Sequence, residues 1–149
     1  MTAEGLRILH TADVHLGAPF LFLGAKGDDQ RRALRDALER TVALARERSC
    51  HAIVIAGDLF DDAFDARESD VAFAALCLAA AGPACRVVIL PGSHDFYAPG
   101  SVLDRERSRL EAGGNVHVLA PDRSVVVFPD LSLAVHGAAL TSSAPAPRA

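Results

Sequence analysis

Three short clusters of acidic and histidine residues recur along the chain, each after an apolar, strand-like run. Asp13-Val14-His15 follows Leu6-Arg7-Ile8-Leu9, Gly57-Asp58 follows Ala52-Ile53-Val54-Ile55-Ala56, and Gly92-Ser93-His94-Asp95 follows Val87-Val88-Ile89-Leu90-Pro91. Carboxylates and imidazoles are natural ligands of divalent cations. An imidazole beside a reacting phosphate can donate a proton to a leaving oxygen or hold the phosphoryl oxygens. Three strand ends bearing such groups can converge on one edge of a sheet, and the chemistry they would then support is metal-assisted cleavage of a phosphoester.

Spacing assigns each group a part. Asp13 and His15 are two apart, so on an extended strand end their side chains point the same way and make two legs of a cation site. Gly57 permits a tight turn that places Asp58 to bridge two cations beside Asp13. In the third cluster a turn exposes His94, and Asp95 next to it can orient the ring. Each cluster alone reads equally well as a polar turn. The three in order, at three independent strand ends, are hard to explain that way.

The elements that must carry these groups follow from periodicity and breakers. Leu6–Ala12 reads as a buried first strand, His51–Ala56 as a second and Arg86–Leu90 as a third. Runs this apolar suit a sheet covered on both sides. Leu34, Leu38, Val42 and Ala45 recur every three to four residues within Gln30–Ser49, which predicts a helix capped by Asp28 or Asp29, its charged residues forming a solvated face. Arg67–Ala81 reads as a second, Ala-rich buried helix ended by Gly82-Pro83. Ser101–Glu111 reads as a short helix capped by Ser101 with Asp104 three residues on. Asn115–Leu119, Ser124–Phe128 and Leu131–Leu140 then read as three strands joined by short turns. The order β-α-β-α-β-α-β-β-β predicts an α/β layer fold with parallel early strands, whose ligands gather at strand carboxyl ends.

The stretches Ile8-Leu9-His10-Thr11-Ala12-Asp13-Val14-His15-Leu16-Gly17, Ala56-Gly57-Asp58-Leu59-Phe60-Asp61 and Pro91-Gly92-Ser93-His94-Asp95 resemble the first three motifs of the calcineurin-like metallophosphoesterases. The phrasing around the first two is similar to the SbcD-type DNA repair exonuclease branch. The resemblance implies a sandwich of two sheets flanked by helices, a four-layer α/β/β/α fold, incomplete in this chain. Residues 1–140 would form the N-terminal part of that domain and 141–149 a disordered tail. It further implies two divalent ions of the Mn²⁺ kind, with Asp13 and His15 on the first, Asp58 bridging both, residue 93 on the second, and His94 as the catalytic imidazole with Asp95 beside it. The nucleophile would be a hydroxide bridging the metals. DNA as substrate, an ATPase partner protein and a homodimer are also implied. The family pattern has Asn where this chain has Ser93, a shorter ligand, so the second site is expected to be the weaker. The family's later histidine motifs have no counterpart. His136 is the only downstream candidate, while His117 reads as a strand-face residue, His10 as a supporting or packing residue, and Asp61 as a support for the loop around Asp58.

Bulk properties narrow the readings. Half of the residues are hydrophobic and there is no Trp, so the core is built from aliphatic side chains. Fifteen Lys and Arg stand against 19 Asp and Glu, a net charge of -4, which excludes a basic nucleic-acid binder by bulk charge alone. Cys50, Cys77 and Cys85 show no paired spacing and are read as reduced, in keeping with a cytoplasmic protein. No basic and apolar leader and no apolar run of about 20 residues is present, so no membrane span is expected. Three functions compete: a metal-dependent DNA exonuclease, a truncated and weakly metal-binding or inactive relative, and a phosphodiesterase for small molecules. The acidic balance mildly favours the last over the first, and the motif phrasing favours the first more strongly.

Overall fold

In the computed structural model, which describes residues 5–143, four β-branched runs pair into one parallel sheet. Strands β1 (Ile8–Thr11), β2 (Ala52–Ala56), β3 (Arg86–Leu90) and β4 (Val116–Val118) lie in the order β1-β2-β3-β4. Leu9 stands opposite Ile53, Ile53 opposite Val87, and Val88 opposite His117. Each parallel step needs a crossover. The crossovers are helix α1 (Gly27–Glu47), helix α2 (Glu68–Ala79), and the short pair α3 (Val102–Arg105) and α4 (Arg107–Leu110).

All three crossovers pack on the same face. Leu38, Val42 and Ala45 of α1, Val71, Ala74 and Leu78 of α2 and Leu110 of α4 meet Ile53, Ile55, Val87, Ile89, Val116 and Val118 of the sheet. The stripe read from the sequence is thus the buried face of α1, with Leu34 half-buried at its edge. A second, antiparallel sheet covers part of the other face. It consists of β5 (Val125–Phe128) and β6 (Leu133–His136), with Val126 opposite Val135. Val88, Leu119, Val126 and Phe128 form the core between the sheets. The layers are therefore helix, sheet, sheet; a helical layer outside the second sheet is absent among the described residues.

Several expectations need correction. Strand β1 is an edge strand rather than a buried one, and Ile8 is 46% exposed. Helix α1 starts at Gly27, so Asp28 and Asp29 lie inside its first turn, where carboxylates favour the dipole, instead of capping it; Lys26 takes the cap position with no side-chain bond. Arg35 is not part of a solvated face, because its guanidinium holds the buried Asp70 at 2.7 Å. On α2 the apolar Leu76 is exposed. The predicted helix over Ser101–Glu111 breaks at Glu106 into α3 and α4. Ser101 sits at the cap, but its hydroxyl accepts from the Ala98 N–H, and Asp104 reaches back to the Gly100 N–H. The last strand is shorter than Leu131–Leu140, because a 3-10 turn over Pro129–Leu131 precedes it and pairing ends at His136. Of the proposed tail, Thr141–Ser143 are described as irregular, and 144–149 lie outside the described residues.

Candidate metal centre

The three clusters do meet, at the carboxyl ends of β1, β2 and β3. The alternation argument for Asp13 and His15 is replaced by a different geometry. Strand β1 ends at Thr11, and both residues lie beyond it in left-handed conformations, φ +55° and +52°. Asp58 is left-handed too, φ +55°, after Gly57 at +99°. Such angles are uncommon outside glycine and cost on the order of 1 kcal/mol or more each, so the surroundings must hold them.

The first two loops hold each other. The Asp13 N–H donates to Gly57 O at 3.1 Å, His15 N–H to Asp58 O at 3.0 Å, Leu16 N–H to Leu59 O at 2.9 Å, and Asp61 N–H returns to Leu16 O at 3.0 Å. The third loop is pinned by Asp95, whose side chain is wholly buried. Its carboxylate accepts from the N–H groups of Asp58 at 3.2 Å, Leu59 at 2.8 Å, Phe60 at 3.1 Å and Gly92 at 2.7 Å. Burial pushes this carboxyl up, the N–H donors of Gly92 and Phe60 pull it down, and Asp58 pushes it up again. Asp95 therefore ties the loops together and does not orient His94, which corrects the role read from its position. The approach is so close that a Cβ on Gly92 would fall on Asp58 Oδ1 and within 2.5 Å of Asp58 N.

Asp13, His15 and Asp58 bring one ligand atom each into a group within 4.8 Å, and His15, Asp61 and His94 form a second such group. Asp13 Oδ1 lies 3.8 Å from His15 Nε2. Asp58 Oδ1 accepts the His94 N–H at 2.8 Å, and the Ser93 hydroxyl lies 3.3 Å from Oδ2. Each carboxylate oxygen keeps a further lone pair for a cation.

Asp61 does more than support its loop. Its Oδ1 is 3.1 Å from His15 Nδ1, and its carbonyl is 2.9 Å from His94 Nδ1. A carbonyl can only accept, so His94 carries its proton on Nδ1. The carboxylate favours the same tautomer in His15. Both Nε2 atoms are thereby left free, and the two rings meet edge to face with centroids 4.7 Å apart. A histidine whose Nδ1–H is held by a carboxylate is the usual form of a metal ligand, so the donor set fits a divalent ion at Asp13, His15 and Asp58. The carbonyl of Asp61 pushes the His94 pKa above its ordinary 6.5; slight desolvation opposes this, and the carboxylates of Asp58, Asp61 and Asp95 add to the rise. Spacing alone had marked Asp61 only through the phrase Leu59-Phe60-Asp61, since nothing in a loop sequence shows that one residue serves two rings.

The remaining candidates stay outside both groups. His136 is exposed on β6 opposite Val125, His117 packs edge to face on Phe128 at 5.1 Å, and His10 is exposed on β1. His51 accepts the Arg7 N–H. Asp62 closes the loop by accepting from the N–H groups of Phe64 and Asp65. The three cysteines are free thiols, and burial, with Glu39 adding, pushes Cys77 up to about 11. No helix among the described residues is long and apolar enough to cross a membrane.

Comparison with known proteins agrees with this geometry. The family profile described as "Calcineurin-like phosphoesterase" matches residues 6–142. Two curated proteins, each named as the SbcD component of the nuclease SbcCD, from Escherichia coli strain K12 and from Escherichia coli O157:H7, are each 32% identical over 93 residues. The match takes in 62% of this chain and 22% of each relative, so the chain corresponds to about a fifth of their length.

Proposed function

The chain belongs to the calcineurin-like phosphoesterase family, and on that premise we propose that it carries the first half of a metal-dependent phosphodiesterase site acting on DNA. The observation that carries this reading is the His15–Asp61–His94 arrangement, which frees two imidazole Nε2 atoms beside Asp13 and Asp58. Asp13, His15 and Asp58 would hold one divalent ion of the Mn²⁺ kind, and Asp58 with Ser93 a second, weaker one. Bound divalent ions supply charge to stabilise the entering and leaving oxygens and lower the pKa of water.

The protein's own part is orientation and proton transfer. His94, its pKa raised and its Nδ1 fixed on the Asp61 carbonyl, presents Nε2–H to a phosphoryl or leaving oxygen. Asp95 and Gly92 keep His94 at that distance from Asp58. Ser93 in place of an amide ligand favours the reading in which the second ion is held loosely and the chain alone turns over slowly. The DNA substrate, a role in repair, exonucleolytic action, a partner protein and a homodimer are proposed from likeness to proteins named as one component of the nuclease SbcCD, and a cytoplasmic location goes with them.

Metal content after Mn²⁺ loading, measured by elemental analysis, tests the reading. One tightly held ion per chain is expected, a second only at high Mn²⁺, and neither in Asp58→Asn. A chain that retains no ion at all would end the proposal. Hydrolysis of bis-p-nitrophenyl phosphate by the wild-type chain is expected to be slow and Mn²⁺-dependent.

A further inference from the structure

Beyond the metal centre, the segment between the first loop and α1 carries an unusual surface. Leu21 and Phe22 are each 85% exposed, and Phe20 beside them holds a left-handed φ of +48°. The tip is braced. Leu23 N–H donates to Phe20 O at 2.9 Å, and the Phe20 and Phe22 rings meet edge to face at 6.3 Å. Arg31 Nη1 donates to Pro19 O at 2.6 Å. Gly27 packs so closely beneath that a Cβ there would come within 3.2 Å of Phe20 O.

Beside this brace lies a cleft of about 250 Å³ lined by Asp28, Arg31, Arg32, Arg35, Arg67 and Asp70. Four guanidiniums face two carboxylates. Arg31 is paired with Asp28 and Arg35 with Asp70. Arg32 is only 3.6 Å from Asp29, with both side chains more than 70% exposed, a geometry worth little. Arg67 makes no ion pair among the described residues. Two cations are thus left for an outside anion. The buried Asp70 Oδ2, which has no hydrogen-bond partner, would lie 3.2 Å from a Cβ on Gly17. Gly17 is two residues beyond His15, so the cleft opens next to the metal centre.

We propose that the Phe20–Phe22 tip and the arginine cleft together seat single-stranded DNA beside the metal centre, with Arg32 and Arg67 on phosphates and the tip against the bases. Base faces on exposed apolar and aromatic side chains, with guanidiniums tracking the backbone, are how single strands are held without sequence preference. The inference rests on the phosphodiesterase reading for its substrate. An anionic membrane would be repelled by Asp28 and Asp29 at the same place and by the chain's net charge of -4.

Fluorescence anisotropy of a labelled 20-nucleotide oligothymidine, with the full chain in EDTA, tests it without any need for turnover. Arg32→Ala/Arg67→Ala is expected to weaken binding about tenfold and to lower the slope of log affinity on log salt by about 1.4, two phosphate contacts at about 0.7 each. Leu21→Ser/Phe22→Ser is expected to weaken binding more than about fivefold with the salt slope unchanged. Arg40→Ala/Arg46→Ala removes the same charge from α1 outside the cleft and serves as the control. The proposal is overturned if the control weakens binding as much as the cleft variant, if neither variant matters, or if the wild-type chain binds phosphatidylserine vesicles and no oligonucleotide. Turnover of the small diester by the wild-type chain is read separately. Its failure alone would sink the catalytic reading and leave the binding result standing.

Discussion

The two faces of the parallel sheet are built to different standards. On the helical face three crossovers cover all four strands, and Ile53, Ile55, Val87, Ile89, Val116 and Val118 are all buried there. On the other face the β5–β6 ribbon covers only the half made by β3 and β4, through Val88, Leu119, Val126 and Phe128. The β1 side chains that point this way, Ile8 and His10, are exposed. The difference explains how half a metal site can be well formed. Every residue of the Asp13–His15–Asp58 group hangs from a strand end anchored on the finished face, and Asp95 locks the loops from within. What is lacking belongs to the unfinished face, where His136 stays exposed on β6 and joins no metal-capable group.

The comparison breaks most sharply at Asp95. Removing its carboxylate leaves four buried N–H groups without an acceptor, so Asp95→Ala is expected to cost about 3–5 kcal/mol in urea unfolding and to abolish Mn²⁺ retention. If stability were unchanged, the loops would be held by something other than this residue. Next in size is the contrast between the two cores. Leu78→Ala on the helical face is expected to cost about 2–5 kcal/mol. Val135→Ala, half-buried on the ribbon, is expected to cost about 1 kcal/mol or less, because less surface leaves water. Equal costs would mean that the two faces are equally packed.

How much of this was legible in the sequence depends on what sets each feature. The parallel strands and the buried stripe of α1 follow from hydrophobic periodicity, which is a local signal. The convergence of Asp13, His15, Asp58 and His94 was legible because strand ends in such sheets share one edge. The reason given for Asp13 and His15 failed, since a left-handed turn rather than strand alternation brings them together. Asp61 and Asp95 were hidden for a related cause. Their partners sit on other loops, and no spacing rule sees a bond across more than thirty residues. Arg35 read as solvated for the same reason, its partner Asp70 lying 35 residues away. The break at Glu106 and the early end of β6 are fixed by tertiary packing that a capping pattern or an apolar run does not encode.

The smallest effect concerns the open face itself. His117 projects from β4 toward the ribbon and packs against Phe128. Burial lowers its pKa below the ordinary 6.5; Glu111 pushes the other way, and Arg123 and Arg86 add to the lowering. Between the folded value and 6.5 the unfolded chain takes up a proton and the folded chain does not, so stability falls as pH drops through that window and is recovered above it. Urea midpoints of the wild type and of His117→Phe, compared at pH 7.5 and pH 5, read the effect as a difference of differences. The wild type is expected to lose more stability at the lower pH than the variant, by a fraction of the Leu78→Ala effect, because the ring is only half-buried in the groove between the sheets. A loss as large as that of a fully buried group would mean that water is kept out of this face as thoroughly as from the helical one, and the contrast between the faces would no longer hold.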